Sequence, residues 1–229
     1  MNENKKFIIN KIRELSSVKS SYMVFNDMII CCAYALANQV DYNQEREDSY
    51  NNIIKVYGED GKNSFAQILA KLYLEYSKGE VIDVLGEIYE EMGFHNKNKG
   101  QFFTPLPICS MMAKVITDKD ENKNLIENKG YISVSDPACG SGRMLYASYE
   151  NLLNSGIDKE NLLLIGDDVD LMCCCMTYIQ LSLMGASAIV NHKNTLSNEV
   201  YDTFYTFNYV NNKKLHDKLK KEIVEEVEI

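Results

Sequence analysis

A chain of 229 residues, 45% apolar and 25% charged, is long enough to bury the core of one ordinary domain, or of one domain with an appendage. Its formal charge is −9, and neither half is basic: the first hundred residues carry 12 Lys and Arg against 15 Asp and Glu. That balance argues against strong unaided binding to nucleic acid, which needs a cationic stripe to neutralise phosphates.

The N-terminal stretch MNENKKFIINKIREL lacks the apolar segment of a signal peptide, and the longest apolar run, Met28 to Ala37, is too short to span a bilayer. These features predict a soluble, cytoplasmic protein without membrane contact. Residues 1–95 read as helical. Phe7, Ile8, Ile12 and Leu15 recur at helical spacing, and Met23 to Val40 is a more apolar helix suited to the centre of a bundle. Phe65, Ile68, Leu69, Leu72 and Tyr76 draw a further stripe; Val84, Leu85, Ile88, Tyr89 and Met92 draw another, closed by Gly93 as a C-cap. These stripes predict packing rather than chemistry.

The polar stretch HNKNKGQFFTP from His95 to Pro105 predicts a loop, followed by a helix from Leu106 to Thr117. Beyond residue 131 the pattern alternates. Short β-type runs at Tyr131–Ser135, Leu162–Ile165, Ala188–Val190 and Thr203–Phe207 are interleaved with helices at 142–153 and 170–184. Such alternation predicts βαβ units and a parallel sheet. The tail from Lys213 to Ile229 is a charged amphipathic helix. The expected organisation is a helical region over 1–95, an α/β domain over 96–212 and a terminal helix over 213–229.

The seven cysteines are Cys31, Cys32, Cys109, Cys139, Cys173, Cys174 and Cys175. None is paired at CxxC spacing and most lie in apolar runs, which predicts buried, reduced thiols and no metal site. The three prolines are Pro105, Pro107 and Pro137, so no two are adjacent.

The stretch from Ser133 to Leu145 reads SVSDPACGSGRML. A strand ends on an acid, turns on Gly140 and Gly142, and opens a helix. Glycines permit positive φ and close approach of a ligand to the backbone, and a helix start offers free N–H groups. The arrangement suits a nucleotide-like cofactor held by a parallel sheet. About thirty residues on, Gly166-Asp167-Asp168-Val169-Asp170 ends the next strand with acids, one of them placed to accept hydrogen bonds from ribose hydroxyls. The simpler alternative for these acids is a solvated helix cap.

GQFFTP (Gly100 to Pro105), DPACGSG (Asp136 to Gly142) and GDDVD (Gly166 to Asp170) resemble the N6-adenine DNA methyltransferases, most of all the modification subunit of type I restriction systems. Asp83-Val84-Leu85-Gly86-Glu87-Ile88-Tyr89-Glu90 resembles the segment that leads into the first motif. The resemblance covers residues 80–210 and implies a Rossmann-like class I methyltransferase core, here with a partial parallel sheet, behind a helical N-terminal region. It also implies S-adenosylmethionine as cofactor. Carried over by position, Gln101, Phe103, Thr104 and Pro105 would contact its methionine end. Asp136, Ala138, Cys139, Gly140, Ser141, Gly142 and Arg143 would line the glycine turn. Asp168, more often Glu in the family, would hold the ribose, with Val169 against the adenine. Of Phe102 and Phe103, one is expected in the core and the other on the pocket wall.

Two departures stand out. Asn194 occupies the position of a family Asp that accepts a bond from the adenine amino group, a change expected to weaken binding by about 1 kcal/mol. The family's catalytic tetrapeptide, Asn or Asp, then Pro-Pro, then Tyr or Phe, has no counterpart. Only Asn208-Tyr209 remain as weak catalytic candidates at the end of the expected fourth strand. The resemblance also implies a seven-stranded sheet, of which four strands are placed, leaving an edge to be covered by the tail helix, a second copy or a partner.

Three functions compete on these grounds. The leading one is a cofactor-binding family member, catalytically impaired alone, acting in a complex with a specificity or second methyltransferase subunit, or as a homo-oligomer, and touching DNA only weakly or indirectly. The second is an active adenine methyltransferase that needs a specificity partner. The third is a non-enzymatic mimic that interferes with restriction-modification assembly.

Overall fold

The computed structural model describes residues 3–79, 82–94, 103–116 and 119–227. Four helices come first: α1 (Glu3–Leu15), α2 (Ser21–Ala37), α3 (Gln44–Tyr76) and α4 (Val84–Glu91). Each of the last three starts on a polar cap whose side chain accepts backbone N–H groups: Ser20, Asn43 and Asp83. α2 is apolar on nearly every side and accordingly buried; it packs on α1 and α3 and on a helix of the α/β portion. α3 is broken at Gly58, whose φ of +66° and ψ of −168° interrupt the helical ladder. α4 closes as the sequence predicts: Gly93 has φ +70°, and the Phe94 N–H reaches back to the Tyr89 carbonyl.

The α/β portion comprises α5 (Leu106–Ile116), α6 (Lys119–Asn128), β1 (Ile132–Asp136), α7 (Arg143–Asn154), β2 (Leu162–Asp168), α8 (Leu171–Leu183), β3 (Ala188–Asn194), β4 (Glu199–Tyr205), α9 (Phe207–Asn211) and α10 (Lys213–Val227). α6 is not anticipated from the sequence, because Leu125 and Ile126 are its only large apolar residues against the core. The sheet order is β1-β2-β3-β4. β1, β2 and β3 are parallel, with Asp136 opposite Gly166 and Asp168 opposite His192. One face, carrying Ile132, Val134, Leu164, Val190 and Phe204, joins a hydrophobic core that is continuous with the N-terminal helices. The other face meets α9 and α10, through Leu163, Ile165 and Ile189 against Tyr209, Leu215 and Leu219. α10 thus covers a sheet face, and among the described residues no strand pairs with the outer side of β1.

The fourth strand corrects the expectation of a parallel sheet: β4 runs antiparallel to β3. The reason is the length of the link. Parallel neighbours need a crossover of a dozen or more residues, whereas only residues 195–198 separate these two strands, with Asn198 at φ +59°. The β runs legible at β3 and β4 are shorter than these strands, and this hides the hairpin.

Arg46 fixes β4 to the helical region. Its guanidinium is buried, pairs with the Asp202 carboxylate through Nε (2.9 Å) and Nη2 (2.6 Å), and donates to the carbonyls of Thr203 and Asp41. It also lies 4.7 Å from the Phe204 ring centre, and Phe204 contacts Tyr34 and Tyr178. All seven cysteines are buried and unpaired. Among the described residues no helix is long and apolar enough to cross a membrane.

Arg46→Ala would leave the largely buried Asp202 without its guanidinium partner. The expected loss is about 3 kcal/mol, because removing one member of a buried pair strands the other. Urea unfolding followed by circular dichroism measures it; a loss below about 1 kcal/mol would show that the pair does not anchor the hairpin.

Candidate functional site

The C-terminal ends of β1, β2 and β3 gather the residues singled out in the sequence. Asp136 ends β1, and its carboxylate accepts the Ala138 N–H at 3.1 Å, tightening the turn. Burial, reinforced by the nearby Asp167, raises the Asp136 pKa. The chain then doubles back: the Cys139 N–H donates to the Asp167 carbonyl (2.9 Å) and the Gly142 N–H to the Cys139 carbonyl (2.7 Å). Gly140 has φ +55° and Gly142 φ +94°, a left-handed conformation that side chains disfavour. Space is short as well. A Cβ on Gly140 would stand 3.2 Å from the Phe103 ring, and one on Gly142 would overlap the Tyr146 hydroxyl. Gly142 then caps α7.

The acids of Gly166–Asp170 divide their work. Asp167 turns to the sheet, accepting Asn191 Nδ2 at 2.7 Å beside Lys193 Nζ at 3.3 Å. Asp170 caps α8 through the N–H groups of Met172 and Cys173, so the cap reading holds for this residue. Asp168 accepts the Gly140 N–H at 2.8 Å and the Asp170 N–H at 2.9 Å, which joins the end of β2 to the glycine turn. Burial, together with Asp170 and Asp136, raises its pKa although those N–H groups work the other way. Val169 is 63% exposed beside it, a free apolar surface at the strand end. The Thr195 hydroxyl ties the β3–β4 turn to the Pro137 carbonyl at 2.8 Å.

Other expected residues take different roles. The Asn194 side-chain oxygen accepts the N–H groups of Leu196 (3.1 Å) and Ser197 (3.3 Å), so it shapes the hairpin turn. Ser141, Cys139 and Arg143 are buried. The Arg143 guanidinium bonds Asp83, Glu90 (2.7 Å) and the Thr104 carbonyl (3.3 Å), and lies 5.5 Å from the Phe103 ring centre. Phe103 covers Gly140 and packs against Tyr89, 5.2 Å between centres. Thr104 and Pro105 are exposed where α5 begins. Gln101 and Phe102 lie outside the described residues.

Asn208 and Tyr209 are elsewhere. Because β4 returns antiparallel, they follow it to the N-terminal end of β3, where Asn208 lies beside Gly185 and Tyr209 contacts Tyr205 and His216. The glycine turn is at the opposite end of the sheet, so these two cannot serve as a catalytic remnant next to it. A shallow cavity of about 420 Å³ at their end, bordered by Lys159, Gly185, Phe207 and Asn208, is separate from the candidate site. Among the described residues no group of His, Cys, Asp and Glu is arranged to hold a metal ion.

Two residues bound to the turn were not among the sequence candidates. Asp83, fully buried, accepts Ser141 Oγ (2.8 Å) and Arg143 Nε on one oxygen, and the Gly86 N–H (2.8 Å) and Gln180 Nε2 (3.0 Å) on the other. The two N–H groups of Gln180 Nε2, from α8, are shared with the Ser141 carbonyl (3.1 Å) and the Tyr146 hydroxyl (2.8 Å). Asp83 stood in a recognised string, but Gln180 sits in an apolar helical run with no motif to mark it.

The profile of the N-6 DNA Methylase family matches residues 80–226. The chain is 30% identical to the type I restriction enzyme MjaIX methylase subunit of Methanocaldococcus jannaschii over 168 residues, 69% of this chain and 28% of that protein. It is 26% identical to the MjaVIII methylase subunit of the same organism over 183 residues, 74% and 29% of the two lengths. The chain therefore spans less than a third of these relatives. A Listeria monocytogenes chain described as a class I S-adenosylmethionine-dependent methyltransferase superposes with a TM-score of 0.45 and 16% identity, over 88% of this chain and 57% of that one.

Gly142→Asp would force a branched, charged residue into left-handed backbone against Tyr146. The expected cost is about 2 kcal/mol or more in stability, with loss of any ligand held by the turn. Thermal unfolding and ligand titration of this variant check both; a variant that retained ligand affinity would place the ligand elsewhere.

Proposed function

The chain belongs to the N-6 DNA methylase family, and from that premise we propose that it binds S-adenosylmethionine at the ends of β1 and β2 and serves as the cofactor-holding part of an adenine-methylating complex. The observation that supports this reading is the turn from Asp136 to Gly142. Two left-handed glycines, packed against Phe103 and Tyr146, bend the chain into a cradle at the C-terminal end of parallel strands, with Asp168 bonded to it. A cofactor with a nucleoside and an amino-acid end fits such a cradle: backbone at the turn, a carboxylate for hydroxyls and an apolar surface for a base. When bound, S-adenosylmethionine supplies a methyl group activated by its sulfonium centre.

The chain's own residues would bind and orient. The Asp168 carboxylate has a second lone pair on each oxygen beyond the N–H groups it already accepts, and these would receive the ribose hydroxyls. Val169 would lie against the adenine. Phe103, packed over Gly140, would close the methionine side and exclude water. Asp136 would hold the turn open at its first residue. Arg143, bonded to Asp83 and Glu90, would act on the turn rather than on the cofactor.

The group that would hold the target adenine is not among these residues. No two prolines are adjacent in the chain, and Asn208-Tyr209 are at the other end of the sheet. We assign that task to residues outside this sequence, so methyl transfer by these 229 residues alone is not expected. The placement of Asn208 and Tyr209 favours this reading over an independently active methyltransferase. The cofactor cradle favours it over a mimic with no need of a ligand.

Calorimetric titration with S-adenosylhomocysteine, the demethylated product, tests the reading. Micromolar binding is expected, weakened about 10-fold or more in Asp168→Ala, as for loss of hydrogen bonds to a charged group. No binding at millimolar ligand would overturn the reading. The pH dependence has a definite sign. Only the ionised Asp168 accepts from both hydroxyls, and its pKa is raised, chiefly by burial. Affinity is therefore expected to fall on acidification at a higher pH than for an ordinary carboxylate, and this fall disappears in Asp168→Ala.

A further inference from the structure

We infer that Asp83 and Gln180 are positioning residues for the cofactor turn: they touch no ligand, and they fix the backbone from Gly140 to Arg143 in the shape that binds. This inference rests on the cofactor reading above and extends it to residues outside the motifs. Asp83 precedes α4 in the helical region, yet both of its oxygens are engaged with the core on the far side. One oxygen holds the Ser141 hydroxyl and Arg143 Nε, so it grips the turn on both sides of Gly142. Gln180 grips the same turn from α8, through the Ser141 carbonyl, and is itself held by Tyr76 and by the Leu85 N–H at 3.0 Å.

The geometry at Ser141 is what distinguishes this from generic core packing. The residue lies between the two left-handed glycines. Its hydroxyl is directed at Asp83, while its carbonyl is bonded by Gln180 and Tyr146. With the side chain of Ser141 and its carbonyl both held, the peptide plane to Gly142 resists rotation, so the Gly142 N–H keeps its direction. Thr177 adds a bond to the Gly140 carbonyl at 2.9 Å. Gly86 makes room for this arrangement, because a Cβ there would collide with the Asp83 carboxylate. Arg143 passes the constraint outward, to the Thr104 carbonyl and to Phe103 over Gly140. The same carboxylate therefore sets both the turn and the wall that faces it.

The test compares affinity for S-adenosylhomocysteine with global stability in the full chain. Asp83→Asn presents an amide N–H to Arg143 Nε, and Gln180→Leu removes the grip on the Ser141 carbonyl. Each is expected to raise Kd at least 10-fold. Leu215→Ala, a cavity on the opposite face of the sheet, is the control that lowers Tm with Kd unchanged. Gln180→Leu carries the test if the charge variant does not fold. Unchanged affinity in Gln180→Leu and in Asp83→Asn would overturn the inference. So would a rise in Kd in Leu215→Ala equal to theirs, since stability alone would then explain it. If wild type binds no S-adenosylhomocysteine, the cofactor reading falls and this inference with it; if wild type binds and the variants match it, only the inference falls.

Discussion

A carboxylate taken wholly out of water must be neutralised and hydrogen-bonded, or it will protonate or the structure will open. Asp83 meets that condition with four donors drawn from three places: the start of its own helix, the glycine turn with the first residue of α7, and the middle of α8. No pair of these elements can move apart without stripping a hydrogen bond from a buried charge. The candidate cofactor site is built on this constraint. The turn has few side chains of its own with which to hold a shape, and its glycines are the residues that lose most conformational freedom on folding. Its rigidity is therefore supplied by neighbours.

The dependence explains why the helical region and the sheet share one core. An N-terminal region that merely preceded a cofactor domain would meet it through a polar, modest interface. Here α2 packs along α8, and the buried residues of α1 to α4 continue into those of β1 to β4. Arg46 and Asp83 are the polar counterparts of that continuity, one at each end of the sheet contact. Arg46 holds the returning strand β4, and Asp83 holds the turn after β1. Both act across more than fifty residues of sequence, so each removes a large amount of chain entropy only once the apolar core has formed around it.

What was legible in the sequence follows from the range of the forces involved. Helix periodicity, the Gly93 cap and the turn glycines are local, and they appear at their expected places. The direction of β4 is also local in origin, but the signal was a four-residue link, visible only when the strands are given their full lengths. The β-type runs stop where polar residues begin, at Val190 and before Thr203. The strands continue through Asn191, Lys193 and Asp202 because those side chains find partners in Asp167 and Arg46. Polar pairing across the sheet extends a strand beyond its apolar segment, and a single sequence does not display the partner.

The roles of Arg143, Ser141 and Asn194 were hidden for the same reason. Each is a polar residue beside a glycine turn or at a strand end, where ligand contact is a natural reading. Yet a buried polar group is first obliged to satisfy itself within the protein, and only its remaining hydrogen-bonding capacity is available to a ligand. Arg143 reaches Asp83, Glu90 and Thr104, and Asn194 caps its own turn. Asp168 differs. Two backbone N–H groups orient its carboxylate, leaving one lone pair on each oxygen, and burial already disfavours its charge. A carboxylate held in place but incompletely solvated gains most from two further donors, which is the condition that a vicinal diol satisfies. The distinction between residues that build the site and the residue proposed to meet the ligand thus follows from counting hydrogen bonds.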